Sequence, residues 1–253
     1  MSGNGKTKRL TRVYVEGSLS ADERWELPEE TAHYVTRVLR CRAGDRLICF
    51  DQNGMEGEFA LLALEKGQPV LVQAQGSLRS GPTHDSLKIH VACALSKGAK
   101  LDDVVRRVSE LGASSFTPLF SERSIPRDIQ AEKRLKRWEK IAGEAARQCG
   151  RVPMSIGRFM SLEEYTERFG KESILLWAGA PSPPQLTELC QGTASPEQIH
   201  VLVGPEGGWS PGEVEVALKT KCRLAGLGPR VLRAETAPMA AVAILQAMWG
   251  DMR

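Results

Sequence analysis

Residues 199–218, IHVLVGPEGGWSPGEVEVAL, constrain this chain more than any other stretch, because strand, loop and helix signals follow one another there without a gap. Ile199, Val201, Leu202 and Val203 form a short apolar run of the buried-strand type. Gly204-Pro205-Glu206-Gly207-Gly208 breaks both strand and helix. A helix start comes next. Ser210 can cap, Pro211 takes the first helical position, and Glu213 stands three residues after the cap, as a capping box requires. Strand, glycine loop and helix in this order are a βα unit of a parallel sheet, and the loop at the C-terminal edge of such a strand is a usual ligand position. Residues without Cβ let a ligand reach backbone N–H and C=O groups. An ordinary strand-to-helix turn has the same pattern, so this stretch alone leaves both readings open.

Residues 223–249 repeat the arrangement: a short strand, a Gly226/Gly228 loop, then a helix. Thr236 is the expected N-cap, with Pro238 in the first turn. The helix is rich in Ala, Met, Ile and Leu almost all round, which predicts burial. Arg230, Arg233 and Glu235 lie between loop and helix. Charges beside a buried helix are costly unless paired or used, so a structural salt bridge and a functional site both account for them.

VGPEGGWS followed by LGPRVLRAETAP resembles the cofactor loops of the SPOUT methyltransferases. More narrowly, the pair resembles the bacterial 16S ribosomal RNA uridine-N3 methyltransferases. The order and spacing of the two loops carry the resemblance, since GPEGG alone is a short string. The resemblance runs from about Arg12 to Trp249. It implies an α/β fold: a SPOUT-type parallel sheet with a C-terminal trefoil knot, preceded by a small PUA-like β-barrel. It implies S-adenosyl-L-methionine as cofactor. The cofactor set it implies is Leu176, Gly204, Pro205, Glu206, Gly207 and Gly208 from one side, and Leu227, Gly228, Leu232, Arg233, Thr236 and Ala237 from the other. It also implies a homodimer in which each site is completed by the partner. No metal is expected.

The implied acceptor is N3 of a uridine in 16S rRNA of the small ribosomal subunit. That nitrogen carries a proton and is a poor nucleophile until the proton leaves. None of the four histidines, His33, His84, His90 and His200, falls in the two loops. An arginine that stabilises the uridinate is therefore favoured, Arg233 first and Arg123 second. Glu206 or Glu235 could act as base, and each could equally hold a loop closed. The N-termini of the helices after Ser210 and Thr236 could favour the methionine carboxylate. A non-catalytic RNA-binding assembly protein and a SPOUT enzyme acting on a ribose 2'-hydroxyl of tRNA are the rival readings.

The N-terminal third reads differently. Residues 1–11 are polar and basic, with Lys6, Lys8 and Arg9, and read as a disordered tail or an RNA-touching arm that includes Arg12. Short β-like pieces follow at 12–17, 46–51, 57–64 and 69–75, with Asn53-Gly54 as a hairpin signal and one helical insert at 28–39. Several short strands in so short a span predict a small barrel. Residues 32–47, AHYVTRVLRCRAGDRL, resemble the RNA-binding part of the family's PUA-like domain, which implies RNA contacts for His33, Arg37, Arg40 and Arg42. A solvated basic face is the alternative. Residues 76–86 are rich in Gly, Ser, Pro and Thr; the domains are read as 1–78 and 87–253, with the linker at 79–86.

After the linker, an apolar strand at 87–95, a helical pattern through Leu101, Val104, Val105, Val108 and Leu111, and the strand SSFTPL predict a parallel α/β domain. Lys97 and Arg123 fall where ligand-facing cations sit in such sheets. Residues 131–149 form an amphipathic helix with a basic outer face, and 174–179 another buried strand. EAARQCGR resembles a family motif that places Gln148 and Arg151 near the RNA. Residues 181–198 read as a surface excursion punctuated by proline.

Composition adds limits. Net charge is only +3, so no general attraction to nucleic acid follows and local patches must carry it. The six cysteines have no metal or CxxC spacing and read as reduced thiols. No secretory apolar region opens the chain and no apolar run spans a bilayer, so no membrane is expected and the expected compartment is cytoplasmic. The nucleotide-loop and metalloprotease signatures GxGxxG, Walker and HExxH are absent from the sequence.

Overall fold

The computed structural model describes residues 10–19, 24–51, 53, 55–62, 70–80, 87–95, 100–124, 131–179 and 183–252. It divides into two compact units: residues 1–83 with 150–152, and residues 84–149 with 153–253.

The N-terminal unit contains β1 (Thr11–Tyr14), β2 (Trp25–Glu26), α1 (Glu29–His33), β3 (Arg46–Phe50), β4 (Met55–Leu61), β5 (Leu71–Ala74) and β6 (Arg79–Ser80). α1 runs on as a π-helical turn, Tyr34–Val38. The strands are ordered β1-β3-β4-β5-β2, with β6 also on β4. β1 is parallel to β3 and the other pairs are antiparallel. Alternation drives the packing: Leu47 and Cys49 of β3 and Phe59 and Leu61 of β4 turn inward to meet Val13, Val35 and Val72. The β3–β4 hairpin is held by Asp51, a buried carboxylate. Its Oδ1 accepts from the N–H groups of Asn53 and Met55 at 2.8 and 3.0 Å, and its Oδ2 from Leu19 N–H at 3.0 Å. Arg79 and Ser80, expected in the linker, instead pair with Glu56 and Met55.

The C-terminal unit contains β7 (Lys88–Ala94), α2 (Lys100–Glu110), β8 (Ser115–Phe120), α3 (Ala131–Cys149), β9 (Ser155–Ile156), β10 (Met160–Ser161), α4 (Leu162–Phe169), β11 (Ser173–Leu176), α5 (Leu186–Cys190), β12 (Gln198–Val203), α6 (Pro211–Lys219), β13 (Arg223–Ala225) and α7 (Thr236–Met248). All its strands are parallel, in the order β10-β8-β7-β12-β11-β13, with β9 also on β8. Central strands buried on both faces explain the unbroken apolar runs of the sequence. Val91, Val201 and Ile174 join Val105, Val108, Trp138 and Leu245 in one core. A second core on the opposite side gathers Ala92, Leu202, Leu175, Tyr165 and Trp209.

α6 starts as its sequence predicts: Glu213 N–H donates to Ser210 Oγ at 3.2 Å, and Ser210 N–H to Glu213 Oε2 at 2.7 Å. α7 starts one residue away from expectation. Glu235, not Thr236, occupies the N-cap, and no side chain caps the helix. Its first turn is closed instead by Arg233 C=O, which accepts from Thr236 and Ala237 N–H at 2.9 and 3.0 Å. Nor is α7 buried all round: Ala241, Val242 and Leu245 are fully buried, while Ala240 and Ala243 are half-exposed and Ala247 is exposed. From the sheet edge at β13 the chain returns so that α7 packs against α2, β7 and β12. Two elements went unread in sequence: α4, and α5 within the proline-punctuated excursion. The strand predicted at 174–179 ends at Leu176. Among the described residues no helix is long and apolar enough to cross a membrane. All six cysteines are free thiols, four of them buried.

Candidate active site

The C-terminal ends of β11, β12 and β13 open into a cavity of about 650 Å3, a size usual for small-molecule sites. The two glycine loops form its walls. Leu176, Gly204, Pro205, Glu206, Gly207, Gly208, Leu227, Gly228, Leu232, Arg233 and Ala237 all line it, and Arg123 reaches it from the turn after β8. Thr236 does not: it is exposed on the first turn of α7, and its N–H is turned back to Arg233 C=O. Sequence reading missed Trp177, Val203 and Trp209 as lining residues. Trp177 follows directly on a parallel strand, so the strand-end rule could have found it. Buried Trp209 was hidden because its ring lies beneath Gly204: a Cβ on residue 204 would stand 3.2 Å from the indole.

The loops are braced from outside. Arg123 donates through Nη1 to Gly207 C=O at 2.8 Å and to Trp209 C=O at 3.5 Å. Glu122 N–H donates to Glu213 Oε1 at 2.9 Å, which ties the same turn to the start of α6. The second loop turns at Gly228, where φ is +93°, a value that L side chains rarely adopt.

Five charged side chains border the cavity: Arg123, Glu206, Arg230, Arg233 and Glu235. Arg230 and Arg233 are exposed, and their guanidinium groups have no hydrogen bond or ion pair among the described residues. The helix N-termini, expected to favour an anion, are already used. Glu213 brings its own carboxylate to the start of α6, and the first N–H groups of α7 are taken by Arg233 C=O. His90 and His200 lie towards the N-terminal ends of β7 and β12 rather than at the pocket. Among the described residues no group of three or more His, Cys, Asp or Glu is placed to hold a metal ion.

The expected RNA-binding residues divide into four groups. His33, Arg37, Arg40 and Arg42 are exposed along α1, the π-helical turn and the loop after it, beside Val38, which is 60% exposed. Arg40 holds a left-handed backbone, φ +54°, uncommon for a residue with a Cβ. Arg42 N–H donates to Asp45 Oδ2 at 2.7 Å, which fixes that loop. Arg12 is committed elsewhere: its guanidinium pairs with buried Glu56 at 3.2 Å and lies 4.4 Å from the ring centre of Phe50. Gln148 is exposed at the end of α3, and Arg151 is half-buried. Arg9 and Lys97 lie outside the described residues.

Comparison with known proteins agrees with this geometry. The chain matches an RNA methyltransferase domain over residues 83–246 and an RNA methyltransferase PUA domain over residues 27–73. Ribosomal RNA small subunit methyltransferase E of Synechocystis is 33% identical over 224 residues, spanning 85% of this chain and 70% of that protein. The protein of that name from Bacillus subtilis is 32% identical over 227 residues, 85% of this chain and 87% of its own. A Legionella pneumophila methyltransferase solved in complex with SAM superposes with a TM-score of 0.82 at 30% identity, over 96% of this chain and 100% of that one. Ribosomal RNA small subunit methyltransferase E from Neisseria gonorrhoeae, bound to S-adenosyl methionine, gives a TM-score of 0.82 at 28% identity with the same coverage. A PUA domain followed by a methyltransferase domain, with a glycine-walled pocket at the strand ends of the second, makes this chain a member of the ribosomal RNA small subunit methyltransferase E family.

Proposed function

We propose that the protein transfers the methyl group of S-adenosylmethionine to N3 of a uridine in the 16S rRNA of the small ribosomal subunit. One observation carries this reading: the glycine-walled pocket has at its mouth Arg233, an exposed guanidinium without a partner among the described residues. The pocket suits the cofactor. Backbone groups of the two loops can meet an adenine edge, Leu176, Leu227 and Leu232 can cover the ring, and Arg230 is within the lining to meet a carboxylate. When bound, the cofactor supplies a methyl group on a positively charged sulfur. Everything else falls to the chain.

At N3 the proton must leave before the nitrogen attacks. Arg233 stabilises the negative charge that develops on the uracil, and Glu206, exposed in the loop, takes the proton. General base catalysis contributes about two to four powers of ten. A placed donor contributes about two to three more. Inversion at carbon needs an in-line approach, so the rigid loops contribute by positioning. Arg123 was a second candidate for anion stabilisation; its Nη1 donates to loop carbonyls, which supports a bracing part instead.

The N-terminal unit serves to hold RNA, with His33, Arg37, Arg40 and Arg42 against phosphates and Arg9 and Arg151 as further proposed contacts. Lys97 and Gln148 are proposed contacts of the C-terminal unit. Arg12 supports that face by holding β1 to β4 through Glu56. The return of the chain from β13 to the sheet centre supports the trefoil knot. The half-exposed apolar side of α7 supports a homodimer. A cytoplasmic location follows from the ribosomal substrate.

The test is methyl transfer from labelled S-adenosylmethionine to small ribosomal subunits that lack the modification, followed by digestion and identification of the nucleoside. N3-methyluridine at one site is the expected result. Label in tRNA but not in subunits would move the acceptor. No transfer to any RNA would overturn the enzymatic reading.

A further inference from the structure

The second glycine loop is fastened by a residue that does not touch the pocket. Gln185 stands at the N-cap of α5, in the stretch 181–198 that reads in sequence as a surface excursion. Its Oε1 accepts from Gly228 N–H at 2.5 Å. Two backbone bonds flank this one: Gly226 N–H to Pro184 C=O and Leu186 N–H to Gly226 C=O, both 2.9 Å. Residues 184–186 and 226–228 are thereby laced together by three bonds, one of which depends on a side chain. Gln185 is itself held, since its N–H donates to Glu188 Oε2 at 2.8 Å. The amide also fills the space over Gly226: a Cβ there would stand 3.1 Å from Gln185 Nε2.

What these bonds hold is Leu227 and Gly228, both of which line the pocket, while Gln185 is not part of its lining. Gly228 N–H is exposed, so water can replace the glutamine as acceptor. The bond therefore restricts the loop more than it stabilises the fold. A loop whose φ of +93° is fixed in advance presents its backbone groups without an ordering cost when a ligand binds. Arg123 braces the first loop in the same manner, by donating to its carbonyls.

We infer that Gln185 is a positioning residue of the cofactor site, which preorganises the Gly226–Gly228 loop through its side-chain acceptor. The inference rests on the reading of the pocket as the S-adenosylmethionine site.

The experiment compares the full-length wild type with Gln185→Met and Gln185→Glu. Methionine keeps the length of the side chain and removes the acceptor; glutamate keeps an acceptor oxygen at the same place. Calorimetry with S-adenosylmethionine alone gives the Kd, and methyl transfer at saturating cofactor gives kcat. The expected result is a Kd raised about tenfold in the methionine variant, the size of one lost hydrogen bond. Kd should return to within about threefold in the glutamate variant, with kcat close to wild type in both. Thermal melting of each variant without ligand checks that the fold is kept, which the exposed setting of the bond predicts. Equal Kd values in all three proteins would overturn the inference, as would a loss in kcat with Kd unchanged or a failure of glutamate to rescue. A wild type that binds cofactor while both variants match it defeats this inference alone; a wild type that binds none defeats the reading of the pocket as well.

Discussion

Arg123 and Arg233 both border the pocket, and their surroundings give them opposite parts. A guanidinium whose Nη1 already donates to two carbonyls has a fixed place; one without a partner among the described residues can turn to charge that appears during reaction. Arg233→Ala should therefore lower kcat by about two powers of ten or more, with the Kd for S-adenosylmethionine changed by about threefold or less. Arg123→Ala should do the reverse, raising Kd by about tenfold or more while kcat at saturating cofactor stays within a few-fold. Isothermal calorimetry beside steady-state kinetics reads both quantities, and equal losses of binding and turnover in Arg233→Ala would remove its catalytic part. Sequence alone could place both arginines near the loops, because Arg123 follows a strand end and Arg233 lies between the second glycine loop and its helix. It could not say which was engaged, since Gly207 and Arg123 meet only after β8 and β12 are set with β7 between them. The partners of Arg12 were hidden for the same reason: a cation in a basic N-terminal stretch looks free until Glu56 and Phe50 are seen against it.

Elements were legible in proportion to how local their causes are. The start of α6 could be read residue by residue, since the capping box links Ser210 to Glu213 within one turn. α3 was read over its observed span, because nineteen residues of sustained period leave little ambiguity. α5 escaped: five residues are too few for a period to show, and Pro, Ser and Gly around them argue for a loop. α7 was misread in degree, as an apolar composition says nothing about which side the core takes. One side, Ala241, Val242 and Leu245, closes the core; Ala240, Ala243 and Ala247 recur at helical spacing on the other and stay partly or fully exposed. If that side is a dimer contact, Ala243→Glu should convert the protein to monomer in sedimentation velocity, since a charge there would be buried without a partner. Its melting as a monomer should be little changed, because residue 243 is not part of the core. A wild type that sediments as a monomer, or a variant that remains dimeric, would take α7 out of the interface.

Over the whole molecule, the parallel class of the large sheet followed from alternating strand and helix patterns, and its strand order did not, because order is fixed by contacts between distant segments. That order has one consequence far from the pocket. β7 beside β12 sets His90 and His200 in register, with their rings stacked 4.4 Å apart. His200 is 4% exposed. Phe169 stacks on it at 4.5 Å, and its Nδ1 lies 2.7 Å from the Tyr165 hydroxyl. His90 Nδ1 lies 2.7 Å from the Ser115 hydroxyl. Burial, and then the neighbouring His90, pushes His200 from 6.5 down to about 3; burial also lowers His90. The Glu172 carboxylate is 3.7 Å from His200 Nε2, but it is 46% exposed and too well solvated to reverse the effect. A histidine held neutral in the fold takes up a proton more readily in the unfolded chain. Its contribution to stability is thus fully present above about pH 6.5 and is lost as pH falls towards about 3. Denaturant unfolding should show stability declining below pH 6.5, with a slope from this one site of at most about 1.4 kcal/mol per pH unit. His200→Gln, which keeps a polar group for Tyr165 and cannot titrate, should be less stable at neutral pH yet show a shallower decline in acid. An unchanged slope in that variant would mean that the acid sensitivity of the fold arises at other groups.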